Sequence, residues 1–158
     1  MMLSNFAKFF HTHLDFRYGY WKTLVSYCRG IIRLPKVSSS RYDIVFVAPE
    51  AGWILDGICK EIDKYYQGKT KFVYSTDYLP YAKAYFFAHY SLVRHAIISN
   101  PHIVGSKKLV WYTHPRDVGY STDELIYFLN KSTKVLATNS SNEKLLLLMG
   151  LKPKKVMT

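Results

Sequence analysis

The sequence predicts an α/β fold: a parallel sheet with helices on both faces, preceded by an N-terminal amphipathic helical segment. Three observations predict it. Short runs of β-branched, aromatic and large apolar residues alternate with stretches whose apolar residues recur at three- and four-residue steps. The short runs are near-continuous in apolar character, as suits strands covered on both sides. Capping residues, glycines and prolines punctuate the transitions. Strands and helices in such alternation form parallel sheets with right-handed crossovers.

The elements follow in order. Phe6, Phe9, Phe10, Leu14, Trp21, Leu24, Val25, Cys28, Ile31 and Ile32 give residues 3–34 helical spacing, interleaved with Lys8, Lys22, Arg29 and Arg33. Gly19 divides this segment, Pro35 stops it, and Lys36–Arg41 is a polar linker. Tyr42–Val47 is the first strand and Ala48–Gly52 a turn. A helix with Ile54, Leu55, Ile58, Cys59, Ile62, Tyr65 and Tyr66 on its buried face then runs to Gly68. Lys71–Ser75 is the second strand. One helix is expected from Asp77–Pro80 to Asn100, with Tyr81, Tyr85, Ala88, Leu92 and Ala96 buried. Leu109–Tyr112 belongs to a central strand that Pro115 ends. Ser121–Glu124 and Ser140–Glu143 read as capping boxes opening two helices, with the strand Lys134–Thr138 between them. Lys155–Thr158 reads as the start of a further strand, and the chain is expected to be a piece of a longer protein.

The chain has 158 residues, 49% of them hydrophobic and 16% aromatic, which is enough for one domain with a substantial core. Its net charge is +11. Residues 1–41 carry seven Lys or Arg against one acid, Asp15, whereas the other 117 residues carry fifteen against ten. A basic surface attracts phosphates of any kind, and the sign alone does not choose among nucleic acid, nucleotide sugar and anionic lipid. Cys28 and Cys59 fit no metal or CxxC spacing and point to a reducing cytoplasm, a single disulfide being the alternative. No uncharged run reaches the ~18 residues of a spanning helix. The first residues lack the apolar core of a signal peptide.

Chemistry concentrates at the ends of strands, where open α/β sheets bind ligands. His114 stands at the end of the central strand, as a site residue or as a hydrogen-bonded structural one. Glu50 and Asp117 also follow strand ends; each is a candidate base or a solvated loop carboxylate. The turn Pro49–Trp53 has one glycine, Gly52, before a helix. It either lets a phosphate approach the helix N-terminus or is an ordinary strand–helix turn. It matches neither GxGxxG nor the Walker pattern. The six histidines form no metal-ligand set, and no GxSxG occurs.

From about residue 42 to 158, the order of pieces resembles the N-terminal domain of a GT-B glycosyltransferase of the family 4-like group. The residues that carry the resemblance are the strand ending in a histidine (LVWYTHPRD), the later strand with its Ser-rich helix start (KVLATNSSNEKLLLLMG) and the first turn (APEAGWILDG). In that fold two Rossmann-like domains face each other across a cleft. The resemblance implies an acceptor-side domain, 42–158, ending before a donor-binding domain, with 1–41 as a basic amphipathic segment ahead of it. It implies transfer of a sugar from a nucleotide-sugar donor to a glycan or lipid-linked acceptor, as in polysaccharide biosynthesis, with no metal and no cofactor. His114 and Asp117 are then the catalytic candidates. Glu50, Gly52, Trp53, Thr113, Arg116, Thr138, Asn139 and Ser140 are the substrate-binding candidates. The donor would be held mostly by the second domain, so the fragment alone would be inactive. The N-terminal segment suits an anionic membrane surface, which puts the protein in the cytoplasm, peripheral at the inner face of the membrane; it suits packing on the sheet as well. The competing expectation is a non-enzymatic basic Rossmann-like module binding nucleic acid or a protein partner. Against nucleic acid, most aromatics fall on expected buried stripes or strands.

Overall fold

The computed structural model describes Cys28, residues 42–115 and residues 118–158. Cys28 is helical and exposed. The rest of the expected N-terminal segment, and the candidates Arg116 and Asp117, lie outside the described residues.

Six parallel strands form one sheet in the order β2-β1-β3-β4-β5-β6. They are β1 (Tyr42–Val47), β2 (Thr70–Val73), β3 (Ala82–Phe87), β4 (Lys107–Tyr112), β5 (Lys134–Ala137) and β6 (Val156–Met157). The helices are α1 (Ile54–Lys64), α2 (Leu92–Ser99), α3 (Thr122–Asn130) and α4 (Ser140–Leu148). This is an α/β, Rossmann-like fold. Strand side chains alternate between faces, and two apolar clusters result. Val45, Val47, Tyr85, Phe87, Val110, Tyr112 and Val135 pack against α2, α3 and α4 through Val93, Ile97, Leu125, Phe128, Leu129 and Leu146. On the opposite face Phe46, Ala48, Phe86 and Ala88 pack against Leu55 and Cys59 of α1. Leu109, Trp111 and Leu136 flank that second cluster half-buried.

The single helix expected from Asp77 to Asn100 is instead strand β3 followed by α2. The three- and four-residue recurrence of Tyr81, Tyr85, Ala88 and Leu92 is coincidental there. β3 lies between β1 and β4 and is buried on both faces, so its sequence AKAYFF carries no period that separates strand from helix. No helix intervenes between β2 and β3. Residues 74–81 make that crossover, anchored where Asn100 donates to the Thr76 carbonyl and accepts from the Leu79 amide.

Three smaller expectations also change. α1 buries only Leu55, Asp56 and Cys59, leaving Ile54 74% and Tyr65 85% exposed, because it meets the sheet by one narrow edge. At α3 Ser121 accepts from the Glu124 amide, but the Glu124 carboxylate turns to Arg94, so half of the expected box forms. At α4 the cap is Asn139, which accepts from the Asn142 amide at 2.8 Å, one residue ahead of the expected Ser140. Asn is as good a cap as Ser, and here it follows β5 more closely. Cys28 and Cys59 are both free thiols. No helix among the described residues is long and apolar enough to cross a membrane.

Candidate functional site

Because every strand is parallel, all their carboxyl ends lie along one edge. β1 leads one way to β2, while β3 lies on its other side, so the chain reverses its direction of travel at β1–β3. Such reversal points open a crevice at the carboxyl edge. Four segments follow strand ends along this edge: Ala48–Trp53 after β1, Ala88–Ser91 after β3, Thr113–Pro115 after β4, and Thr138–Asn142 after β5. The Ala88 amide donates to the Val47 carbonyl (2.9 Å) and the Thr138 amide to the Tyr112 carbonyl (3.2 Å), keeping neighbouring ends in register.

The first segment turns through Gly52, whose φ of +79° is left-handed and favours glycine. Asp56 holds the turn. Its carboxylate accepts from the Gly52 amide (2.8 Å) and the Tyr74 hydroxyl (2.9 Å), and the Lys60 ammonium lies 2.7 Å away. The hydrogen bond from Lys60, then that from the Gly52 amide, keeps the Asp56 carboxyl below the usual carboxylate range. The amide an incoming phosphate would take is therefore already given to a carboxylate of the same helix. Glu50 and Trp53 are exposed on this turn.

His89, expected on a helix, stands at the end of β3 beside the β4 end. It is buried, its ring stacks on Tyr90 at 4.4 Å, and its Nδ1 is 2.7 Å from the Ser91 hydroxyl. The Tyr90 hydroxyl donates to the His114 carbonyl at 3.1 Å. The β3 end thus supports the backbone that carries His114, whose side chain is exposed at the edge.

Thr113, Thr138 and Asn139 come together through Asn142. The Thr113 carbonyl accepts from the Thr138 hydroxyl (2.7 Å) and from the Asn142 amide group, which also donates to the Thr138 hydroxyl (2.9 Å). Asn139 is spent on the α4 cap, and Ser140 is exposed at the first turn. These residues knit two strand ends together, with His114 beside them and Glu50, Gly52 and Trp53 on the separate β1 turn.

Behind the edge, on the α2–α4 side, a cavity of about 230 Å³ lies among Tyr90, Tyr112, Pro115, Tyr120, Leu125 and Met149. The hydroxyls of Tyr112 and Tyr120 are buried without a hydrogen-bond partner. Burial raises the pKa of both phenols, so both are neutral. The Arg94 guanidinium lies 5.3 Å from the Tyr120 ring centre and pairs with Glu124 (Nε to Oε1, 2.5 Å). Among the described residues no three His, Cys, Asp or Glu side chains gather as a metal site would need.

Sequence reasoning passed over His89, Asn142, Asp56 and the three cavity tyrosines. The signal for His89 was its place after the aromatic run Tyr85–Phe87, hidden by the helical reading of that stretch. Asn142 acts on the Thr113 carbonyl 29 residues away, and the tyrosines come together from distant parts of the chain, which local pattern does not carry. No family model, curated protein or solved structure matches this chain.

Proposed function

We propose that residues 42–158 form the acceptor-side domain of a GT-B glycosyltransferase, which transfers a sugar from a nucleotide-sugar donor to a glycan or lipid-linked acceptor in the cytoplasm. The observation that supports this reading best is His114, exposed at the carboxyl end of central β4 with the reversal point of the sheet beside it. An imidazole there can align an acceptor hydroxyl or take its proton. Glu50 stands exposed on the neighbouring turn, and Asp117 follows three residues after His114 in sequence, as further candidate bases.

The test is His114→Ala in the enzyme that carries this domain. Turnover falls by on the order of a hundredfold if the ring positions the reacting groups. The melting temperature stays unchanged, because the side chain is exposed. Turnover near wild type removes His114 from the site. For residues 1–158 alone, calorimetry with UDP- and GDP-sugars gives dissociation constants weaker than about 1 mM, since the donor half lies elsewhere on this reading.

One observation favours a second reading. Tyr65, Tyr66 and Tyr74 are exposed on the α1 and β2 side, with Lys64, Lys69 and Lys71 exposed there too. Exposed aromatics beside lysines suit a module that binds single-stranded nucleic acid. That reading requires salt-sensitive binding of an oligonucleotide, lost on Tyr65→Ala with Tyr66→Ala.

A further inference from the structure

We infer that the amino edge of the sheet under β4, β5 and β6 docks on an anionic lipid bilayer. Charge is the first ground. Three connections enter these strands, residues 101–107, 131–134 and 149–155. They carry Lys107, Lys131, Lys134, Lys152, Lys154 and Lys155 and no Asp or Glu. Hydrogen bonds hold the connections side by side. The Lys108 amide donates to the Thr133 hydroxyl (3.0 Å), the Lys155 ammonium to the Ser132 carbonyl (2.6 Å) and the Lys134 ammonium to the Lys154 carbonyl (3.1 Å). Lys107, Lys131, Lys152 and Lys154 are exposed. Among the described residues no carboxylate pairs with any of the six. The acids of α3 and α4, Asp123, Glu124 and Glu143, stand in the first turns of those helices, at the opposite edge. Under β1 and β3 charges are mixed instead: Lys83 pairs with Asp43, and Lys64 at the end of α1 with Glu61. The positive field is thus concentrated under three strands.

Apolar character is the second ground, and it selects the partner. Val104, within the first connection, is 60% exposed, and Leu148, the last residue of α4 before the third, is 86% exposed. Aliphatic side chains among lysines suit a bilayer interface, where the former enter the acyl boundary and the latter meet lipid phosphates. Single-stranded nucleic acid instead uses aromatic platforms. The exposed aromatic rings of the described residues, Trp53, Tyr65, Tyr66, Tyr74 and Tyr78, all lie between β1 and β3 in the chain, away from these connections. Residues 1–41, with seven Lys or Arg against one acid, lead into β1 at this same edge. Any contact they make with the bilayer adds to that of the six lysines. The inference does not rest on sugar transfer, because its test is binding alone.

The experiment is co-sedimentation of the full chain with vesicles of equimolar phosphatidylglycerol and phosphatidylcholine, and with phosphatidylcholine alone. The mixed vesicles bind the chain and the neutral ones do not. Each lysine near an anionic surface contributes about fivefold. The triple variant Lys107→Gln, Lys152→Gln, Lys154→Gln therefore weakens partitioning on the order of a hundredfold. These three side chains are exposed and make no bond among the described residues, so the melting temperature holds. An equal charge change elsewhere, Lys64→Gln, Lys71→Gln, Lys144→Gln, leaves partitioning within about threefold of wild type. Val104→Ser with Leu148→Ser weakens it by about tenfold. The inference is overturned if the mixed vesicles do not bind, if the two triple variants weaken binding equally, or if the double serine variant binds as wild type does. It is overturned equally if binding of a single-stranded oligonucleotide needs the edge lysines while vesicle binding does not.

Discussion

Two buried charges make the residue scale testable. Arg94 and Glu124 are 5% and 1% exposed and bonded to each other across α2 and α3. Removing one partner strands the other in the core. Arg94→Leu therefore costs about 3–5 kcal/mol in urea unfolding, while the double variant with Glu124→Leu recovers most of the loss. Lys108 is the second case. Its ammonium is buried and donates to the carbonyls of Ile103 (2.9 Å), Val104 (2.9 Å) and Ser106 (2.7 Å), closing the 3-10 turn Pro101–Gly105 onto β4. Burial, then the charge of Lys155, lowers its pKa to about 8. The unfolded chain holds that proton more tightly than the folded one, so stability rises as pH climbs from about 8 to 10. The raised phenols of Tyr85, Tyr112 and Tyr120 act in the opposite sense above about pH 10, where only the unfolded chain loses their protons. Urea midpoints between pH 8 and 10 show the rise, and Lys108→Met flattens it.

At the scale of elements, Asn142 does what no single strand does for itself: it ties the end of β5, through Thr138, to the carbonyl that precedes His114. Asn142→Ala removes both bonds and costs about 1–2 kcal/mol by thermal denaturation. It differs from His114→Ala, which leaves the melting temperature alone. Elements were legible in the sequence to the extent that local pattern determined them. β1 was read with both ends correct because its apolar run is bounded by polar linker and turn. α4 was read with its cap one residue late, since Asn139 and Ser140 are both good caps and only the geometry after β5 chooses between them. β3 was misread because a strand buried on both faces shows neither a two-residue nor a 3.6-residue period, and its Tyr and Ala spacing imitated a helix. Of the candidate site, the strand-end residues were visible because strand ends are. The cavity was not, because it is assembled from β3, β4, α3 and the end of α4.

At the scale of the molecule, the two faces of the sheet are unlike. Three helices cover one; on the other, α1 covers β1 and β3, and Leu109, Trp111, Leu136 and Met157 remain half-buried or exposed. Parallel sheets are nearly always covered on both faces. The apolar residues of 1–34 can meet either this open half or an anionic bilayer, and deletion separates the two. If the segment serves a bilayer, deletion abolishes co-sedimentation with phosphatidylglycerol vesicles and leaves the melting temperature in place. If it serves the sheet, the melting temperature falls and sedimentation is unchanged.

The strand order also bears on how the chain is made. β1 has both its neighbours, β2 and β3, once residue 87 has been synthesised, and β4, β5 and β6 then add to one side in the order of translation, about every 25 residues. At roughly 5–20 residues per second, each addition takes one to a few seconds of ribosome time. Through each interval the newest strand is an unpaired edge. The longest such wait falls on β4, between Tyr112 and Lys134, while Val110 and Tyr112 still lack their partners on β5 and α3. That is the moment at which the nascent chain offers a chaperone an apolar edge for longest, and the stage at which slowed translation would expose it to aggregation.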